Sequence, residues 1–173
     1  MLEAFQEAAF NQVAEEIKHK YPDNTLVLTY AHSPVIEDFM ILNRAGKLKW
    51  DPWLKNQPFF QPEHTHPIRL AVYYRRTPLG YAFGNFSAER QSLEICWIEK
   101  RLDAHADMDE QMLPIALTCF SAYGMLLRKQ GHEINKIAWS VRLKTLELTT
   151  ISMQSSDTSQ IMTGLSVLWF LMS

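Results

Sequence analysis

Apolar residues recur at spacings of three and four along residues 2–20, at Leu2, Phe5, Ala9, Val13 and Ile17, with Glu3, Glu7, Glu15 and Glu16 between them. That period predicts an amphipathic helix, closed by Pro22-Asp23-Asn24. TLVLTYA at 25–31 is rich in β-formers and predicts a short strand. His32-Ser33-Pro34 opens a second helix, with Ser33 as N-cap, Pro34 at the first helical position and Glu37 and Asp38 in the first turns. Ala45-Gly46 ends it. Residues 47–67 hold four prolines, two tryptophans and two phenylalanines, the pattern of a short helix followed by an aromatic-rich loop. Loops of that length inside a compact domain are often functional.

From Ile68 the period changes to that of strands. IRLAVYY (68–74), a turn at RRTPLG (75–80) and YAFGNFS (81–87) predict a hairpin, and LEICWIE (93–99) extends it to a three-stranded meander. A long helix follows over residues 110–129, with Leu113, Leu117, Phe120, Met125 and Leu127 as its apolar surface. Pro114 is tolerable there because it falls in the first turn, and Asp107, Asp109 and Glu110 are placed to cap that end. NKIAWSV (135–141) returns as a strand, parallel to the one before the helix. TLELTTISM and GLSVLWFLM are strand-like, with QSSDTSQ between them. This order is α+β, in one domain: a helical part with the aromatic loop (1–67), a sheet and long-helix core (68–141), and C-terminal strands (142–173).

With 47% hydrophobic residues in 173, the chain is large enough to bury a real core. Seventeen basic residues against nineteen acidic ones give a net charge of −2, without the basic excess of a dedicated nucleic-acid binder. Cys96 and Cys119 sit in apolar runs and read as buried thiols, and the lack of a CxxC pair suits a reducing compartment. The N-terminus has no basic segment followed by an apolar one, and the apolar run near the C-terminus is roughly ten residues, too short to cross a bilayer. A cytoplasmic protein with no membrane partner is expected.

His64 and His66 lie two apart, with Glu63 beside them, but no further ligand of known position accompanies them, so no metal site is predicted. Neither a G-x-S-x-G elbow nor a phosphate-binding glycine loop is present. The aromatic group Trp50, Trp53, Phe59 and Phe60 reads as core, or as the lining of a pocket for an apolar substrate group.

VYYRRTPLGYAFGNF resembles the strand 2–strand 3 hairpin of the GCN5-related N-acetyltransferase (GNAT) superfamily. LEICWIE with the loop and helix after it resembles that superfamily's strand 4–helix 3 unit, and INKIAWSV its strand 5. The resemblance covers residues 68–141 and implies a GNAT-like α+β fold, with a mixed, mostly antiparallel sheet flanked by helices. It implies transfer of an acetyl or other acyl group from acyl-CoA to a small-molecule or protein amine, with acetyl-CoA as cofactor. It also implies roles for named residues. Main-chain groups at Trp97 and Ile98 would pair with the pantetheine arm. Lys100, Arg101 and Gln111 would lie at the pyrophosphate. Glu99, or Glu94, would act as the base, and Trp50, Trp53, Phe59 and Phe60 would line the acceptor side. Final strands in this superfamily often mediate dimers, so a homodimer is a further expectation.

The chain departs from the pattern in two places. Between Arg101 and Gln111 there is no glycine, while Asp103, Asp107, Asp109 and Glu110 are present. Main chain approaching a phosphate favours glycine, and carboxylates repel the anion. The late tyrosine that would protonate a leaving thiolate is also missing, since none follows Tyr123. Two other readings therefore stand beside the first: a GNAT-like binding or regulatory protein without CoA, and an acyltransferase fed by an acyl carrier protein. The hairpin RRTPLGYAFGNFS, similar to that of toxin-activating acyltransferases, points to the latter.

Overall fold

The computed structural model describes residues 2–22, 25–56, 66–139 and 150–152. Helix α1 (Leu2–Ile17) runs into a 3-10 turn (Lys18–Lys20). Strand β1 (Leu26–Tyr30), helix α2 (Ser33–Arg44) and the one-turn helix α3 (Pro52–Asn56) follow. The meander is β2 (Pro67–Tyr74), β3 (Thr77–Ser87) and β4 (Ser92–Lys100). Helix α4 (Met112–Lys129) then leads to β5 (Lys136–Trp139) and β6 (Thr150–Ser152). The strands form one sheet in chain order, antiparallel throughout except for the parallel β4–β5 pair.

Alternation along the strands sorts the core into two layers. On one face α1 and α4 cover Leu28, Ile68, Leu70, Val72, Ala82, Phe86, Leu93 and Ile95, with Phe10, Val13, Phe120 and Tyr123 fully buried. On the other, α2 lays Val35, Ile36, Phe39 and Leu42 over Ala71, Tyr81 and Phe83. Met125 lies outside both layers and is exposed. Cys119 is buried, whereas Cys96 is only half-buried.

Several boundaries differ from the sequence reading for local reasons. The β2–β3 turn is only Arg75-Arg76, both left-handed (φ 50 and 61), so β3 begins at Thr77. Two left-handed residues match a hairpin's twist. Pro78 is accommodated because the register shifts between Val72 and Tyr73, leaving Leu79 unpaired. Helix α2 is preceded by His32 as N-cap, with Ser33 already helical and no side-chain cap. The strand-like run 164–172 and the dimer expected from it lie outside the described residues.

Tyr30 and Tyr123 are buried phenols whose pKa is pushed up to about 12, in both cases chiefly by burial. The unfolded chain releases these protons near pH 10, while the native state keeps them. Their contribution to stability is therefore full below about pH 10 and falls as the pH rises towards 12. Urea midpoints should be flat from pH 8 to 9 and drop beyond 10, and Tyr30→Phe should lessen the drop. A midpoint unchanged at pH 11 would contradict this.

Candidate active site

β4 carries the residues that the sequence singled out, and the structure separates them. The register steps from Phe83–Trp97 to Gly84–Ile95, so β4 carries one more residue than β3 at Cys96, a β-bulge in β4. Described pairing with β5 runs from Ser92–Lys136 to Ile95–Trp139, while β4 itself continues to Lys100. Trp97 and Ile98 thus lie past the bulge, with their β3-side edge paired to Phe83 and Ala82.

Glu99 points to the α2 side of the sheet. Its Oε1 accepts the Lys49 N–H at 2.5 Å and the Trp50 N–H at 3.2 Å, and its Oε2 accepts the Tyr81 hydroxyl at 2.7 Å. Asn43 of α2 donates to the carbonyls of Leu48 and Trp50, each at 3.0 Å. The α2–α3 turn is therefore pinned from both sides, which sets the Trp50 ring 6.1 Å from that of Trp97. Burial, reinforced by the bond to Glu99, pushes the Tyr81 phenol far up.

Glu94 sits elsewhere. It is 3% exposed, with Arg90 Nε at 3.0 Å and Ser92 Oγ at 3.3 Å. Five strand positions separate it from Glu99, roughly 15 Å, so the two carboxylates do not share one site.

The predicted aromatic group is likewise divided. Trp50 faces Trp97, whereas Trp53 lines a cleft of about 370 Å³ with Ser33, Glu37, Met40, Ile41 and Arg44. Phe59, Phe60 and His64 lie outside the described residues. His66 is half-buried beside Phe86 and His132.

At the β4–α4 junction the acids do not cap α4. Its N-cap is Gln111 and no side chain bonds its first amides. The acids meet bases instead. Asp103 takes Arg101 through Nε at 2.6 Å and Nη2 at 3.0 Å, with Lys47 at 3.0 Å. Asp107 takes the Tyr74 hydroxyl at 2.7 Å and Arg75 at 3.1 Å, and Asp109 takes Lys100 at 3.0 Å. Hydrogen bonds from Arg101 and then Lys47 hold the Asp103 carboxyl far below the usual range. Gln111 is engaged with the Tyr21 hydroxyl and the Asp109 carbonyl. Glu110, not a glycine, supplies the left-handed residue (φ 60). Lys47 and Arg75, from distant parts of the chain, complete this balance.

A diphosphate placed here would find Lys100 and Arg101 already satisfied by carboxylates and no glycine cradle. These residues do not fit the phosphate end of CoA.

The order and pairing of elements, four antiparallel strands with the fourth parallel to the fifth across a long helix, are those the resemblance implied. The fold is α+β, a mixed, mostly antiparallel sheet flanked by helices. An acetyl transferase from Salmonella typhimurium that modifies the N-terminal serine of ribosomal protein L7/L12 aligns with a TM-score of 0.43 at 9% identity, over 68% of this chain and 71% of that one. A functionally unknown conserved protein from Staphylococcus epidermidis ATCC 12228 aligns with a TM-score of 0.40 at 12% identity, over 86% of this chain and 51% of that one. No protein-family model matches the chain, and no curated protein matches it. Among the described residues no helix is long and apolar enough to cross a membrane.

Proposed function

We propose that this protein transfers an acyl group from a thioester donor to an amine, on the α2 side of β4. The observation that carries this reading is the built wall Tyr81–Glu99–Trp50–Trp97 beyond the β4 bulge. In this reading Trp97 and Ile98 offer main-chain groups to a pantetheine arm. Glu99 is a positioning residue that holds the α2–α3 turn, and Trp50 and Trp97 face the acceptor.

Acyl-CoA is the donor the family resemblance brings. The ion-paired junction favours a donor recognised through pantetheine and thioester, as on an acyl carrier protein, over one recognised through its phosphates. A second reading, a binding protein that takes no donor, is favoured by the engagement of both Glu99 oxygens.

The test is amine-dependent thiol release from acetyl-CoA and acetyl-pantetheine. Release that saturates with amine supports transfer. Release no faster than in protein-free buffer removes it.

A further inference from the structure

Lys55, on the one-turn helix α3, projects over the two indoles that β4 and the α2–α3 turn bring together. Its Nζ lies 3.6 Å from the ring centroid of Trp97 and 4.6 Å from that of Trp50. Among the described residues no carboxylate comes within 4.0 Å of that ammonium. A lysine on a protein surface ordinarily keeps its charge in water or beside an acid. This one is held by two π-faces, whose negative quadrupoles attract a cation.

We infer that Trp50 and Trp97 form a receptor for the ammonium group of an alkylamine, and that Lys55 fills it when no ligand is bound. The walls are fixed in advance. Glu99 and Asn43 pin the main chain of Trp50, and Trp97 is held in the β3–β4 ladder. The first turn of α3 is fixed by Asp51, whose Oδ1 accepts the amides of Trp53 at 2.8 Å and Leu54 at 3.1 Å. The receptor is also accessible, for Trp50 is 42% exposed, and Lys55, tethered by a flexible stem, can swing out. Lys49 stands 5.1 Å from the Trp50 ring on the same turn. An entering cation therefore meets one further positive charge besides the one it displaces, which favours a single ammonium on an apolar stem over a compact dication.

Facing rings stabilise an amine in its protonated state, which cannot attack a thioester. The receptor is thus an anchor for a charged group. Where it serves acyl transfer, the acceptor carries a reacting group besides the anchored one; that extension rests on the transferase reading, while the binding site itself does not.

The experiment uses the whole chain and no thioester, so its outcome is separate from that of the transfer assay. Butylammonium and 1-butanol are titrated while tryptophan fluorescence and the NMR resonance of the Lys55 ε-methylene are followed. In the free protein that resonance should be displaced upfield by the indole ring currents. Butylammonium should return it to the position of a free lysine and change the fluorescence saturably, and butanol should do neither. Lys55→Ala removes the internal competitor and should bind butylammonium about fivefold more tightly, because the apparent constant scales with the open fraction. Trp97→Leu should abolish the response, with far-UV dichroism reporting whether that variant folds. Nα-acetyl-lysine methylamide distinguishes the two sources of the same chemistry, tighter binding than butylammonium marking a protein lysine and weaker binding a free amine. A Lys55 resonance at the free-lysine position, an equal response to butanol, or no tightening in Lys55→Ala would each overturn the inference.

Discussion

Gly84→Ala is expected to destabilise the protein by about 3 kcal/mol, the upper end of the cost of overpacking a core. A Cβ built on Gly84 would stand 2.1 Å from the Glu94 carbonyl oxygen and 2.6 Å from Cε1 of Phe120. The first contact is with main chain of β4, so no rotamer change relieves it. The second is with a fully buried ring of α4. Gly84 also stands at the register shift that produces the β4 bulge, so separating the strands there would disturb the segment that carries Trp97 and Glu99. For a chain of this size the loss corresponds to a fall of roughly 6–12 °C in Tm. A urea titration showing a loss below about 1 kcal/mol, outside the range expected for a forced core clash, would mean that β3, β4 and α4 do not approach as described.

Glu99→Gln should have the largest effect on function. The carboxylate receives Lys49 and Trp50 amides on one oxygen and the Tyr81 hydroxyl on the other, with the Trp50 amide also 3.3 Å from the second. An amide in its place turns an NH2 group towards one set of donors whichever way it faces. Leaving such groups poorly paired costs about 1–3 kcal/mol, and the turn that carries Trp50 loosens. Thiol release should fall by up to about 100-fold, the rate equivalent of that loss, and butylammonium binding should weaken in parallel. If turnover falls while ammonium binding is unchanged, Glu99 acts on the reacting proton and not through Trp50. If neither changes, the wall is not the site.

Much of this arrangement was legible in the sequence because its causes are local. The alternation in IRLAVYY, YAFGNFS and LEICWIE fixed which residues share a face, and so put Trp97 and Glu99 on the same side of β4 once the bulge is passed. The short α3 and the parallel return of β5 were equally readable, from a Pro-bounded helical turn and from the long helix between two strands. What escaped depended on distant partners. Asp107, Asp109 and Glu110 looked like caps because they precede a helix, yet Arg75, brought in by the β2–β3 turn, claims Asp107, and Lys100 claims Asp109. The meeting of Trp50 and Lys55 with Trp97 depends on how the α2–α3 turn docks on β4, and no spacing encodes that. The division of Trp50 from Trp53 has the same origin, for Trp50 lies in the turn before α3 and Trp53 within it, whereas a spacing of three in one helix would have kept them on one face.

The account's central claim is that the protein binds a thioester donor through its pantetheine arm, with no contribution from nucleotide phosphates. The direct measurement is the thermal midpoint in the presence of acetyl-CoA and of acetyl-pantetheine at equal millimolar concentration, since a ligand of the native state raises it by mass action. The account predicts an equal rise with both, insensitive to added salt. No rise with either would contradict the transferase reading, and a larger, salt-sensitive rise with acetyl-CoA would contradict the assignment of the junction as closed to phosphate.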